Sequence, residues 1–338
     1  LFFIKFSTIS YADNVHRISN LEISDKFDKN FNKTRTINKA FEKAFKLLIQ
    51  RITLTSDKEK LNEIKNLEIK NYVESFTIID EKFVDNKYIA KFDVEFDKTR
   101  VGNLLEKKNI FPSIPIKKNF LFIPIIIEEN KENLLVFSNN KFYDEWNNDS
   151  ESFYLIEYIL PTEDLEDLNL IKKQYDLIEQ YDFKEITSKY YLDDSIIALI
   201  FINQKTIRIL SRITVNDKVV LINQSFSNID INNTDQLSTI TKSLKIIYED
   251  YWKNFNQINT SIKLPIYIKV NSGDNLKVSR LENTLDEVNL IYDYFISKFD
   301  KDFIYYQIIY NGTPDIFLKS MEKQNFNFNT QNKTWVLK

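Results

Sequence analysis

The stretch FIYYQIIYNGTP, residues 303–314, places a strand, a turn and the start of a helix in direct succession. Aromatic and β-branched residues fill Phe303 to Tyr310, as is typical of a strand. Asn311-Gly312 is a turn pair, and Thr313 and Pro314 are the residue types preferred at the N-cap and the first position of a helix. This stretch predicts that the end of the chain combines helices with a sheet.

The same alternation of strands and helices extends over residues 261–338, which we predict to form one unit. Its predicted elements are strands at Leu264 to Val270, Leu290 to Ser297 and Phe303 to Tyr310, helices at Leu276 to Val288 and after Thr313, and a final strand or hairpin at Phe326 to Leu337. The order β-α-β-β-α-β predicts a ferredoxin-like unit.

Residues 13–118 are predicted to form a first unit with the order β-α-β-β-α. Its predicted elements are a weak strand at Leu21 to Ser24, a strong helix after Thr34 or Thr36, a short charged helix near Asp57 to Leu67, strands at Val73 to Phe83 and Tyr88 to Phe96, and a helix capped by Asp97. Asp85-Asn86 supplies the turn between the two longer strands. Phe111 to Pro115 contains two prolines and cannot be helical, so it is predicted to be a linker.

Residues 119–260 are predicted to form a middle α/β unit with a mixed sheet. Its predicted elements are strands at Phe120 to Glu128, Phe153 to Leu160, Ser195 to Ile202, Thr206 to Val215 and Val219 to Phe226, a helix capped by Thr162, and a long helix with Leu237, Ile240, Leu244, Ile247 and Tyr251 on one face. The first strand is almost entirely apolar, which predicts that both of its faces are covered. The three units together predict a fold class between α/β and α+β.

The composition excludes most of the residue sets that enzymes use. The chain has no Cys, three Gly and a single histidine, His16. The glycines lie far apart, so they form no Gly-rich phosphate loop, and a Ser-His-Asp or Cys-His site would need the imidazole of His16. The formal charge of −3 is spread without a basic block, which disfavours nucleic-acid binding.

Residues 1–12 have the pattern of the end of a secretory signal peptide. Apolar residues give way to small and polar ones, and Ser10-Tyr11-Ala12 matches a small-x-small cleavage site, so we expect a periplasmic protein that starts at Asp13. The alternative is a first strand in a cytoplasmic protein. No other segment approaches about 18 consecutive apolar residues, so the sequence predicts no transmembrane segment.

A set of short motifs resembles an exported Gram-negative bacterial family known as domain of unknown function two-zero-six-six. The matching residues are Arg35, Ala40, Ala44, Leu48, Arg51-Ile52-Thr53, Tyr72-Val73, Phe96-Asp97, Val101, Leu104-Leu105, Ile110, Pro124, Trp146, Leu160-Pro161, Asp164 to Asp167 and Trp335-Val336-Leu337. The family commonly has Gly where this chain has Glu163. The resemblance implies an envelope protein and supplies no activity. The middle unit is also similar to the amino-terminal domain of the propeller protein of the Tol-Pal system.

Four carboxylates, Glu163, Asp164, Glu166 and Asp167, form the strongest candidate cluster for chemistry. Carboxylate oxygens suit Mg²⁺ or Ca²⁺. Carboxylates in the first turn of a helix are also favoured by its N–H groups and dipole, and these four diverge around the helix, so we favour the structural interpretation. His16 lies in a polar run, and we expect it to be solvated.

Three groups of aromatic and charged residues have the composition of a sugar-binding face. They are Tyr190-Tyr191 before Asp193-Asp194, Asp250 to Lys253, and Trp146 beside Asp144 and Glu145. The simpler interpretation is that these rings complete a core and keep their polar atoms in water.

The sequence assigns no catalytic, cofactor-binding or metal-binding residue, and it leaves the binding residues and the oligomeric state open. Because catalytic residue types are scarce, we expect a non-catalytic periplasmic binding or assembly module with an envelope protein as partner and without a cofactor. The alternative is a carboxylate-dependent envelope hydrolase or glycan-processing enzyme. A pocket in which carboxylates converge would favour that alternative.

Overall fold

The computed structural model describes residues 15–338 except for residues 62, 63, 65, 132, 149, 150, 152, 261 and 289. The predicted signal peptide at residues 1–12 lies outside these residues. Three sheets packed with helices confirm the predicted mixed fold class. The chain divides into two compact units, of which one combines the residues up to Pro115 with Lys253–Lys338 and the other is Ile116–Trp252.

The first sheet belongs to the discontinuous unit and has the strand order β1-β3-β2, with antiparallel pairing throughout. The elements of this region are β1 (Arg17–Lys26), α1 (Lys33–Ile52), α2 (Lys58–Leu61), α3 (Asn66–Ile69), β2 (Val73–Val84), β3 (Lys87–Phe96) and α4 (Lys98–Lys107). The apolar face of α1 packs on β1 and β3 and forms one core with them. The order of the main elements matches the prediction.

Local sequence signals decide the turns and caps of this region. Asp85 and Asn86 both have positive φ, as the two-residue turn between β2 and β3 requires. α1 begins at Lys33, earlier than the predicted start after Thr34 or Thr36, because Asn32 has the extended backbone of an N-cap and its side chain accepts the N–H of Arg35. The predicted helix near Asp57 to Leu67 was too long, since the described residues there form the short α2 and α3.

The second sheet occupies the middle unit and has the order β5-β4-β7-β8-β9, with β6 also pairing with β4. The elements are β4 (Lys118–Glu128), β5 (Asn133–Leu135), α5 (Lys141–Glu145), β6 (Ile156–Ile159), α6 (Leu165–Lys173), α7 (Lys184–Thr187), β7 (Ser195–Asn203), β8 (Thr206–Val215), β9 (Lys218–Ser227) and α8 (Thr234–Phe255). β4 is parallel to β6 and β7, and the other pairs are antiparallel, so the sheet is mixed as predicted.

Helices cover both faces of this sheet, and β4 is buried on both sides as the sequence predicted. Phe120 and Phe122 of β4 pack with α8, whereas Leu121 and Ile123 pack with α6 and α7 on the opposite face. The core face of α8 also includes Tyr248 and Trp252, which the predicted face omitted.

Two boundaries in the middle unit differ from the prediction. β6 begins at Ile156 rather than Phe153, since its pairing with β4 starts there, and the N–H groups of Leu155 and Ile156 donate to the carboxylate of Glu249. Asp164 caps α6 in place of Thr162, and its Oδ1 accepts the N–H of Glu166 at 2.7 Å.

The third sheet has the order β11-β12-β10-β14-β13 and completes the discontinuous unit. Its elements are β10 (Leu264–Asn271), α9 (Asn275–Glu287), β11 (Ile291–Phe299), β12 (Phe303–Tyr310), α10 (Pro314–Lys323), β13 (Phe328–Asn329) and β14 (Trp335–Leu337). Thr313 caps α10 and Pro314 is its first residue, as predicted. The order of β11, β12 and β10 is ferredoxin-like, but β14 is parallel to β10 because the hairpin from β13 reverses the chain.

The predicted linker is tied into the discontinuous unit by hydrogen bonds. The N–H of Ser113 donates to Ile52 O at 2.7 Å, that of Ile114 to Asn256 O at 3.0 Å, and that of Ile258 to Pro112 O at 2.8 Å. Because these bonds join the linker to the segment after α8, the unit boundaries fall at 115/116 and 252/253, rather than at 118/119 and 260/261.

The helices of the described region include none that could cross a bilayer as a long apolar span. The longest helices, α1 and α8, both carry charged residues along their length.

Candidate functional site

The cluster Glu163, Asp164, Glu166 and Asp167 stabilises the start of α6. Asp164 is the N-cap, Asp167 is buried against Lys189 with a 2.6 Å ion pair, and Glu163 accepts the hydroxyl of Ser138. Helix N–H groups lower the pKa of Asp164, as expected for a capping carboxylate. Among the residues that the structure describes, no three His, Asp or Glu side chains converge to hold a metal ion.

Most of the aromatic candidates for a sugar-binding face are core residues. Trp146 is buried and stacks on Phe122 at a centroid distance of 3.8 Å, and Trp252 is buried with its Nε1–H donating to Ile116 O at 2.7 Å. Tyr190 packs against the second face of the sheet. Among these aromatic residues, Tyr191 alone is almost fully exposed, and its backbone has a left-handed conformation. The structure therefore brings no two of these groups together as an exposed aromatic face.

His16 is partly buried, and the prediction of a solvated side chain was wrong. Burial and the positive charge of Lys98 lower the pKa of the imidazole to about 4, so His16 is neutral at physiological pH. The backbone of His16 pairs with β3, where its carbonyl accepts the N–H of Phe96. This pairing, which the polar sequence did not reveal, carries the imidazole to the wall of a cleft.

The cleft beside His16 lies in the discontinuous unit and has a volume of about 480 Å³. Lys98 also lines it, and burial lowers the pKa of Lys98 to about 8 while its Nζ donates to Val288 O at 2.8 Å. The remaining charged lining consists of six carboxylates, Glu74, Glu95, Asp97, Asp286, Glu287 and Asp293. The sequence left open whether carboxylates gather in one place, and this acidic cleft has six of them in its lining.

The acidic cleft adjoins a smaller apolar cavity of about 70 Å³, and His16 and Lys98 line both. Residues of α4, of the linker and of β11 contribute most of the apolar lining. Asn311 Oδ1 is buried in this region without a hydrogen-bond partner among the described residues. The two cavities are suited to a ligand that carries both a cationic and an apolar group.

The depressed pKa of His16 predicts a pH dependence of stability. The folded state keeps the imidazole neutral down to about pH 4, whereas the unfolded chain is protonated near 6.5, so unfolding is favoured as the pH falls through this window. Between pH 7 and pH 5 we expect the free energy of unfolding to fall by about 2 kcal/mol more in the wild type than in His16→Asn. Urea unfolding at both pH values measures this, and equal losses in the two proteins would contradict it.

The open edge of the middle sheet is formed by β9, a ten-residue strand. Its pairing with β8 has no register shift. The side chains of Val219, Val220 and Leu221 are 55%, 39% and 58% exposed, and no charged residue occurs from Val219 to Ser227. After Lys218 at its start, β9 therefore presents a regular, uncharged edge with exposed aliphatic side chains.

Other edge strands of the described region carry features that discourage pairing with another chain. β1 and β2 contain several charged residues and register shifts, and β11 has two shifts with Asp293 and Lys298 in its sequence. β5, β6 and β13 have four residues or fewer. Natural sheets use these devices to protect their edges, and β9 has none of them within its last nine residues.

The hairpin geometry shows which backbone groups of β9 face outward. Asn216-Asp217 is a two-residue turn, so Val215 and Lys218 form the closing hydrogen-bonded pair. Hydrogen-bonded and non-hydrogen-bonded pairs alternate along an antiparallel ladder. The N–H and C=O groups of Val219 and Leu221 therefore point away from β8, toward the open edge.

No family model and no curated protein matches the chain. The resemblances to the exported family and to the Tol-Pal propeller protein stay predictions.

Proposed function

We propose that this protein is a non-catalytic binding module of the bacterial cell envelope that accepts an extended segment of an envelope protein along β9. The observation that carries the proposal is the regular, uncharged edge with Val219, Val220 and Leu221 exposed. The sequence pattern of residues 1–12 supports a periplasmic location.

Strand addition explains why this edge departs from the rule for sheet edges. A partner strand would satisfy the outward N–H and C=O groups of β9, and its alternate side chains would cover Val219 and Leu221. Main-chain hydrogen bonds supply affinity in this mode, and the exposed side chains select an apolar partner segment. Because no charged residue occurs from Val219 to Ser227, the side chains of such a partner strand would not lie opposite a charged side chain of β9.

A photo-crosslinking residue at position 221 tests the proposal in intact cells of the source organism. We expect one dominant adduct with an envelope protein when the residue replaces Leu221, and none when it replaces Leu276, which is at least as exposed but lies on α9. Periplasmic fractionation of the adduct tests the location at the same time.

A charge substitution on the same strand makes the test quantitative, because it should change the adduct yield by a stated factor. Val219→Lys is expected to lower the adduct yield at position 221 by roughly fivefold, because the charge disrupts cross-strand contacts of about 1 kcal/mol. Leu276→Lys is the matched control and is expected to change nothing. Equal yields in the two lysine variants, or the same adducts from positions 221 and 276, would rule out docking on β9.

A second candidate, a carboxylate-dependent hydrolase, is favoured by the acidic cleft. The pKa of Glu74 is raised by burial and by the neighbouring charges of Glu95, Asp97 and Asp286, as suits a general acid. Turnover of a peptidoglycan, glycoside or ester substrate that disappears in Glu74→Gln, but persists in Glu68→Gln, would establish this candidate and refute the non-catalytic assignment.

A further inference from the structure

The apolar cavity beside the acidic cleft has a glycine in its wall. Gly102 lies in the interior of α4 and is one of three glycines in the chain. Glycine is unfavourable at such a position, because it loses more conformational freedom than alanine when a helix forms. A Cβ atom built on Gly102 would meet no atom within 4 Å beyond its chain neighbours and the backbone of its own helix. Gly102 therefore widens the cavity although it weakens the helix.

A buried acceptor lines the same cavity. The Oδ1 atom of Asn311 has no hydrogen-bond partner among the described residues. The N–H of Asn311 donates to Leu290 O at 2.8 Å, which places the residue beside Ile291. Ile291 lines both the apolar cavity and the acidic cleft. Asn311 therefore lies near the junction of the two, where its buried Oδ1 requires a donor.

The acidic cleft favours a cation at this junction. Six carboxylates line the cleft, and Lys98 is the only cation in its lining, because His16 is neutral at physiological pH. Lys98 is held at the wall by its hydrogen bond to Val288 O. Burial first, and then the neighbouring carboxylates, raise the pKa of Glu74, which indicates that their negative charge is not fully compensated. A cationic ligand is therefore attracted to the cleft.

The volume of the apolar cavity limits the rest of the ligand. One water molecule occupies about 30 Å³ of the liquid, so a cavity of about 70 Å³ accommodates a chain of only a few carbon atoms. Ile52, Val101, Leu105 and Ile258 line the cavity with aliphatic side chains. Burial of a short alkyl chain among them is favourable, whereas a ring or a branched group would exceed the space.

We propose that the junction of the apolar cavity and the acidic cleft binds a short primary alkylamine, whose ammonium group donates to Asn311 Oδ1 while its alkyl chain lies in the cavity beside Gly102. An ammonium has three donors, so it can serve Asn311 and still face the carboxylates of the cleft. A charged donor also makes a stronger hydrogen bond than a neutral one. This site goes beyond the docking of a partner on β9 and does not depend on it.

Calorimetric titration of the full chain with butylamine at pH 7 tests the proposal. We expect saturable binding with a Kd of about 1 mM. Butan-1-ol has the same alkyl chain without the charge and is expected to bind roughly tenfold more weakly or less tightly still. Sodium butyrate carries the opposite charge and is expected to show no binding.

Gly102→Leu tests the place of the alkyl chain, because the added side chain would fill the cavity. We expect it to weaken butylamine binding by roughly tenfold or more. Lys107→Leu introduces the same side chain at an exposed position of α4, so it is the matched control and is expected to bind like the wild type. No heat with butylamine, or equal affinity in the two leucine variants, would overturn the proposal.

Asn311→Ala keeps the test decisive if Gly102→Leu fails to fold, since it shortens one side chain and adds nothing to the cavity. We expect it to weaken butylamine binding by roughly threefold to tenfold, because a charge-assisted hydrogen bond is lost. Wild-type affinity in Asn311→Ala, or binding of butan-1-ol or butyrate as tight as that of butylamine, would each refute the site.

Discussion

Replacing Asn140 with alanine is expected to lower the free energy of unfolding of the middle unit by about 3–4 kcal/mol. The side chain is fully buried and bonds to five backbone groups. Its Nδ2 donates to the carbonyls of Pro124, Leu135 and Val136 at 2.9–3.2 Å. Its Oδ1 accepts two N–H groups at the start of α5, so that it also serves as the N-cap.

The size of this effect follows from the buried backbone groups that lose their hydrogen-bond partner when alanine replaces Asn140. Loss of an N-cap costs about 1 kcal/mol, and each buried carbonyl left without a donor adds about 1 kcal/mol. Asn148→Ala is the matched control, because Asn148 is exposed and its side chain bonds to Glu145 among the described residues. Urea unfolding of the full chain, followed by tryptophan fluorescence, measures the difference. A loss below about 1 kcal/mol in Asn140→Ala would contradict the argument.

Glu249→Ala is expected to destabilise the same unit by about 3–5 kcal/mol, the usual cost of removing one buried charged partner. The change leaves the N–H groups of Leu155 and Ile156 without their acceptor. It also removes a negative charge four residues from Lys245 on the same face of α8.

A double substitution separates lost hydrogen bonds from the uncompensated charge. Lys245→Met/Glu249→Met is expected to recover part of the loss, since an apolar pair of similar volume leaves no buried charge. Glu157→Ala, an exposed change in β6, is the control and is expected to stay within about 0.5 kcal/mol of the wild type. Equal stability of Glu249→Ala and Glu157→Ala would refute the assigned role.

Signals that act within a few residues allowed most of the fold to be predicted. The turn at Asp85-Asn86 occurs where the sequence placed it, and Asp97 and Thr313 cap the predicted helices. Turn and cap preferences depend on local backbone geometry, so they can be identified without knowledge of the neighbouring elements.

Features set by distant residues could not be predicted in the same way. His16 is polar and lies in a polar run, yet pairing with β3 brings it to a cleft wall. Asn140 and Glu249 resemble many other Asn and Glu residues in the sequence, and only the sheet around them makes them buried hydrogen-bonding centres. The position of β9 at an open edge is likewise a property of the whole sheet.

One regularity of the sequence did contain information about the buried lysine. Thr241, Lys245 and Glu249 recur every four residues on α8, and all three are buried. A polar row at helical spacing beside the apolar row of Leu244 and Tyr248 indicates a buried polar network rather than a solvated face.

The division of the chain also determines the order in which its parts can fold during translation. The middle unit has all of its residues once Trp252 has left the ribosome, whereas the other unit must wait for the segment that begins at Lys253. Domains fold as units when their residues are available. The nascent first segment can therefore pack α1 on β1 and β3 early, because that core draws only on residues up to Ile110, whereas the linker gains its bonds to Asn256 and Ile258 only after the middle unit has been made.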